Sequence, residues 1–197
     1  MYFFCILIAL LSSCHHKEPK VYRLSKSLDG DSMFVTDYNC RVSCEETELR
    51  LLGMDAPEYD QDPWGKRARE FLRSQVHDDT KLFIEGTSPA TDKYGRRLAF
   101  LYYQEANKRK FLNYEMLRNG YAQLFIISKN FKHATKLKDA EAYARTHKLH
   151  IWQETNGLTM SPYKYRKLKK KAKKDILRHP EEPAKQATSG SSQESSI

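Results

Sequence analysis

The sequence predicts an α+β fold built on a small closed β-barrel. Three observations carry that expectation. Five strand-like runs can be marked, and the first three follow one another directly. Segments with helical spacing stand only between and after the later strands. Asp-Gly and other Gly-containing turns punctuate the runs. Pattern alone places the chain beside other α+β arrangements as well. No internal repeat is visible.

Taken in order, residues 21–28, "VYRLSKSL", read as a strand that Asp29-Gly30-Asp31 ends. "SMFVTDY" reads as the second strand and "TELRLLGM" as the third, giving a meander. "WGKRAREFLRSQV" spaces Trp64, Ala68, Phe71, Leu72 and Val76 as one face of an amphipathic helix. "KLFIEG" and "RLAFLYY" are two further strands, and "TSPATDKYGR" is the loop between them. "FLNYEMLRNG" is a short helix with Gly120 just past its end, where a left-handed cap forms readily. Leu137, Ala140 and Ala144 form the stripe of another helix over residues 134–148. Trp152 follows as a core anchor, and Phe125 and most tyrosines are expected in the core.

The 197 residues suit one domain with extensions. A net charge of +9 suggests an anionic partner, either nucleic acid or an anionic membrane. Simple solubility explains the sign equally well. Six of those nine charges fall in residues 161–197. "YKYRKLKKKAKKDILRH" places Tyr165, Leu168, Ala172 and Ile176 on one stripe among lysines, a basic amphipathic helix. Its expected partner is nucleic acid or anionic lipid, and a solvated helix end is the plain alternative. The polar, Ser-rich stretch after it is expected to be disordered.

The opening "MYFFCILIALLSSC" is too short an apolar run to span a bilayer comfortably, and it fits a secretory leader. "LLSSC" resembles a bacterial lipobox, which would make Cys14 a lipidated mature N-terminus. No Lys or Arg precedes the run, a departure from the usual leader. An ordinary cleaved signal is the alternative, and both readings place the protein outside the cytoplasm. Cys40 and Cys44 lie four apart in a turn-like stretch, where an oxidising compartment permits a disulfide. Two free thiols are the alternative. Metal binding needs more ligands than two thiols. The expected boundaries are residues 1–13 as signal peptide, 14–20 as tether, 21–153 as the main domain, 154–179 as a basic helical extension and 180–197 as the tail.

The residues that carry chemistry begin with Arg50. Strand neighbours alternate faces, so Leu49 and Leu51 take one side and Arg50 the other. An arginine among leucines needs an anion, either a carboxylate or a phosphate. Asp29, Asp31, Asp55 and Glu58 stand at strand ends, where carboxylates can bind a hard divalent cation such as Ca²⁺. "DGDS" lacks the remainder of a helix-loop-helix calcium loop, and Asp-Gly is commonly just a turn. Arg96 is delivered onto a strand by a Gly-containing turn, and Arg97 points the other way.

In order along the chain, "DGDS", "LRLLGMDAPE", "TDKYGRRLAF", "LNYEMLRNGYAQL" and "KLHIW" strongly resemble the staphylococcal nuclease (thermonuclease) family. The resemblance runs from about Val21 to about Trp152. It implies an OB-fold, a five-stranded barrel with three helices, and Ca²⁺-dependent cleavage of DNA and RNA by a monomer. It makes Asp31, Asp55 and the backbone carbonyl of Ala56 the metal ligands, with Asp29 supporting them. It makes Arg50 and Arg96 the holders of the scissile phosphate, and Glu58 the group that orients or deprotonates water. Ser32 stands where the family usually has threonine, and the cysteine loop is longer. "AQLFIISKNF" lacks two nucleotide-flanking tyrosines, with Ile126 and Ser128 in their places, while Lys93 and Tyr94 remain as nucleotide contacts. A non-catalytic nucleic-acid-binding module and a structural envelope lipoprotein are the alternatives.

Overall fold

The computed structural model describes residues 19–126 and 131–178, without the side chains of residues 87–89, 176 and 177. The leader with Cys14, most of the tether, Ser128 and the tail from residue 180 lie outside the described residues.

The described residues form eight strands: β1 (Val21–Ser27), β2 (Ser32–Asp37), β3 (Thr47–Leu51), β4 (Gly53–Asp55), β5 (Leu82–Thr91), β6 (Arg97–Glu105), β7 (Lys108–Phe111) and β8 (Gln123–Phe125). Helices α1 (Trp64–Gln75), α2 (Leu112–Arg118), α3 (Ala134–Thr146) and α4 (Pro162–Arg178) complete it, with one 3₁₀ turn at His150–Trp152. The main sheet runs β3-β2-β1-β5-β6-β7. It closes because β3 also pairs with β6, in parallel, with Arg50 opposite Leu98. The barrel strands are thus β1, β2, β3, β5 and β6, and the fold is the expected α+β OB-fold.

Closure follows from alternation. Leu49 and Leu51 are buried inside the barrel with Met33, Val35, Leu82, Ala99 and Leu101, while Arg50 faces the other way. Ala68 and Leu72 of α1, Leu112 and Met116 of α2, and Leu137 and Ala140 of α3 cover the same core. Burying such side chains stabilises by roughly 1.5–3 kcal/mol each for the larger ones, relative to exposure.

The single strand expected over "TELRLLGM" is broken. Leu52 turns the chain and Gly53 takes φ +76°, a conformation that favours glycine. A side chain at Gly53 would also meet Leu137 Cδ1 at 2.5 Å and Phe131 Cε1 at 2.9 Å. The corner is held from inside by Asn113, which is fully buried on α2. Its amide donates to Leu52 O at 2.9 Å, and its Oδ1 accepts the Leu101 N–H at 2.9 Å. After the corner, β4 runs beside β8, with Asp55 opposite Gln123.

Other departures are local. The loop expected over residues 87–96 is strand as far as Thr91, because β6 offers it a partner. Phe125, expected in the core, is 40% exposed at the end of the three-residue β8. Tyr59 and Tyr163 are exposed as well. Trp152 is half-buried, with the Arg145 guanidinium 3.6 Å from its ring centroid. Cys40 and Cys44 are joined by a disulfide across the loop between β2 and β3. Of the apolar stripe expected on α4, Tyr165 reaches the domain, while Leu168 is 53% exposed and Ala172 is exposed too. Pro162 and Arg166 face the domain beside Tyr165.

Candidate active site

Three backbone features bring the acids to Arg50. The first is the turn before β2. The Asp29 carboxylate accepts the N–H of Asp31 at 2.9 Å and of Ser32 at 2.7 Å, so one of its oxygens is bound within its own turn. Gly30 lets this turn pack tightly, because a Cβ there would lie 2.7 Å from that of Ala56. The second is the β2–β3 register, which sets Ser32 opposite Arg50, while the Leu51 N–H donates to Asp31 O at 2.8 Å. The third is the Gly53 corner, which returns Asp55 to a residue only five positions earlier.

The result is one guanidinium between two buried carboxylates. Asp31 is 1% exposed and Asp55 3%. Arg50 Nη1 pairs with Asp31 Oδ1, and its Nη2 donates to Asp55 Oδ1 at 2.9 Å. Asp31 Oδ2 accepts the Ala56 N–H at 2.7 Å, and Ser32 Oγ donates to Oδ1 at 3.1 Å. Burial pulls the Arg50 pKa below its ordinary value, and the charges of Asp55 and Asp29 partly offset that. Burial raises the Asp29 pKa, opposed by Arg50. Breaking a buried pair of this kind by removing one partner typically costs about 3–5 kcal/mol.

Arg96 stands nearby but is tied elsewhere. Its Nε and Nη2 donate to Asp92 Oδ2 at 2.8 and 2.7 Å. Asp92 Oδ1 also accepts the N–H groups of Tyr94 and Arg96, so one carboxylate both shapes the turn and holds the guanidinium. Burial alone would raise the Asp92 pKa, but these bonds outweigh it and leave it below the ordinary value. Arg96 remains within electrostatic reach of both Asp29 and Arg50. Lys93 and Tyr94 project from the tip of the same turn, the lysine Nζ 5.1 Å from the ring centroid. Glu58 follows β4 and is partly exposed.

Sequence reasoning missed two members of this constellation. Asp92 lies inside the quoted "TDKYGR", and its spacing of four from Arg96 was the available signal. Arg166 of α4 is the other. Its Nη1 donates to Asp55 Oδ1 at 2.9 Å and Glu58 Oε1 at 2.8 Å, and its Nη2 to Asp55 Oδ2 at 2.9 Å. No local signal separates Arg166 from the basic residues around it.

Among the described residues, no group of three or more His, Cys, Asp or Glu is placed to hold a metal ion. The donors present are two buried carboxylates that already converge on one cationic group, with the Ala56 backbone beside them. That set suits a hard cation that completes its shell with carbonyl and water oxygens, as Ca²⁺ does. Soft or thiol-seeking metals find no donors in it.

The fold and site together define a closed OB-type barrel with two buried acids and arginines gathered at one end. Comparison with known proteins narrows this to one family. The profile described as "Staphylococcal nuclease homologue" matches residues 48–154, more than half of the chain. The chain belongs to the staphylococcal nuclease family. It is 25% identical over 138 residues to the thermonuclease of Staphylococcus hyicus, covering 68% of this chain and 76% of that protein. It is 27% identical over 161 residues to a protein of Haemophilus influenzae named as an uncharacterized endonuclease, covering 81% and 80%. An uncharacterized protein of Methanocaldococcus jannaschii is 26% identical over 157 residues, covering 68% and 72%.

Proposed function

We propose that this protein is a calcium-dependent nuclease that hydrolyses phosphodiester bonds in DNA and RNA, with little sugar or sequence preference. The observation that carries the reading is the convergence of buried Asp31 and Asp55 on Arg50, with Glu58 sharing the Arg166 guanidinium with Asp55. Asp31, Asp55 and the Ala56 carbonyl would hold Ca²⁺, which when bound supplies Lewis acidity toward a phosphoryl oxygen. The remaining chemistry belongs to the chain's own groups. Arg50 turns its fork from the carboxylates to the scissile phosphate and stabilises the charge that builds on the equatorial oxygens. Arg96, held by Asp92, gives a second guanidinium from the opposite turn. Glu58 orients a water molecule and takes its proton. Lys93 and Tyr94 contact the nucleotide beside the cleaved bond. Asp29 supports the cation ligands by fixing the turn that carries Asp31.

The leader motif supports export and a lipid anchor at Cys14, and with them an activity held at the cell envelope. The decisive assay follows cleavage of single- and double-stranded DNA and of RNA, with Ca²⁺ and with a chelator. Cleavage of all three that stops on chelation is expected. Cleavage that persists in chelator overturns the calcium role, and absence of cleavage leaves a binding module. Mass spectrometry of the mature N-terminus is expected to find lipid on Cys14. An unmodified N-terminus downstream of Cys14 overturns the anchor.

A further inference from the structure

Helix α4 is seated on the candidate site through specific groups. Two contacts fix the segment before it: Gln61 Nε2 donates to Met160 O at 2.6 Å, and Trp64 Nε1 to Asn156 O at 2.9 Å. Pro162 is buried where the helix begins. One turn further, the Tyr165 hydroxyl donates to Asp60 O at 3.1 Å, and Lys169 Nζ pairs with the Asp60 carboxylate at 2.5 Å. Lys170 lies close enough to exposed Tyr94 to hold that phenol's pKa below its ordinary value, with Lys93 adding to the effect. The helix thus spans from the β4 end of the site to the β5–β6 turn.

Arg166 is the innermost basic group of this face. Its fork covers both oxygens of Asp55 and one oxygen of Glu58. Asp55 Oδ1 also receives Arg50. Every oxygen of Asp55 is therefore held by a guanidinium. A divalent cation has to compete for these oxygens while the fork is in place, because two positive groups would share one carboxylate.

We propose that Arg166 is a further residue of this site and sets the calcium concentration at which the site fills. Its guanidinium holds Asp55 and Glu58 until the cation takes Asp55. The inference rests on the assignment of Asp31 and Asp55 as cation ligands. It also gives the basic helix a partner within the chain itself, the acidic rim formed by Asp55, Glu58 and Asp60.

The test is calorimetric titration of calcium chloride into the full chain, as wild type, Arg166→Gln and Asp55→Asn, without nucleic acid. Arg166→Gln is expected to bind Ca²⁺ roughly tenfold more tightly, the scale of losing one charged hydrogen-bonded competitor. Asp55→Asn is expected to lose most of the binding. Arg166→Lys keeps the charge without the fork and is expected to fall between wild type and Arg166→Gln. Because Asn156, Met160 and Pro162 anchor the segment independently, the Arg166 substitutions leave α4 seated, and the far-ultraviolet circular dichroism of each variant checks that its barrel is folded. Equal or weaker binding by Arg166→Gln, with wild type binding Ca²⁺ well, overturns the role of Arg166 and leaves the calcium site standing. No binding by wild type or Arg166→Gln overturns the calcium site and this inference with it.

Discussion

Arg50 and Arg166 reach the same carboxylate, Asp55, by different routes. Arg50 projects from a barrel strand whose register is set on both sides, by β2 and by β6, and its side chain is 16% exposed. Arg166 projects from a helix that touches the domain along one edge, and its side chain is 32% exposed. Both forks can turn by side-chain rotation, but the backbone under Arg50 is fixed by two strand neighbours and that under Arg166 by one edge of a helix. Two guanidinium groups of the same chemistry therefore have different uses. The one based on the barrel strand is suited to catalysis, where a displacement of about 1 Å can cost ~10²-fold. The more exposed one is suited to exchange with another cation.

Substitutions at the barrel end should have the larger effects. Arg50→Lys is expected to lower kcat on a single-stranded oligonucleotide by about 10³–10⁵-fold, because a point charge cannot replace a bidentate fork at a phosphate. Turnover within tenfold of wild type would show that Arg50 only pairs with the acids. Glu58→Gln should lower kcat by about 10²–10⁴-fold while a nucleotide inhibitor still binds with unchanged affinity. Loss of inhibitor binding would make Glu58 a ligand-holding group rather than a base.

The next two outcomes separate the regions by stability. Asn113→Ala leaves the Leu101 N–H and the Leu52 carbonyl without their partner inside the core. Chemical denaturation should show a loss of about 2–3 kcal/mol, with activity falling in parallel as the Gly53 corner loosens. Removal of residues 162–197 should lower barrel stability by about 1–3 kcal/mol, since exposed pairs such as Lys169–Asp60 contribute little and buried Asp55 loses the Arg166 fork but keeps Arg50. A larger drop would mean that α4 is part of the folding unit. A cut after Gln153 would test something else, because it also removes Asn156 and Met160, which satisfy Trp64 and Gln61.

Much of the barrel was legible because its signals are local and repeated. Leu49 and Leu51 alternate with Arg50, Ala68 and Leu72 keep helical spacing, and Gly120 takes φ +69° just past α2, as its position implies. The break at Leu52–Gly53 was less legible, because an apolar run reads as one strand until something packs against its bend. Here Leu137, Phe131 and Asn113 do so, from helices or loops far along the chain. Phe125 shows the converse: an apolar residue follows the strand pattern, but among the described residues it stays 40% exposed at the end of β8.

The sequence by itself did not mark β4, β7 or β8 as strands, but it determined the five barrel strands, the buried faces of α1 and α3 and the set of charged residues in its motifs. Those depend on periodicity and on residue type, which a linear chain carries. Only the tertiary structure decided which charges meet. Asp31 and Arg50 become partners through strand register, and Asp55 joins them through the corner at Gly53. Arg166 arrives from 111 positions away on a helix whose stripe docks at Tyr165 but leaves Leu168 exposed. Coulombic attraction is blind to sequence separation, so the partner of a buried carboxylate is set by whichever cation the fold delivers within about 3 Å.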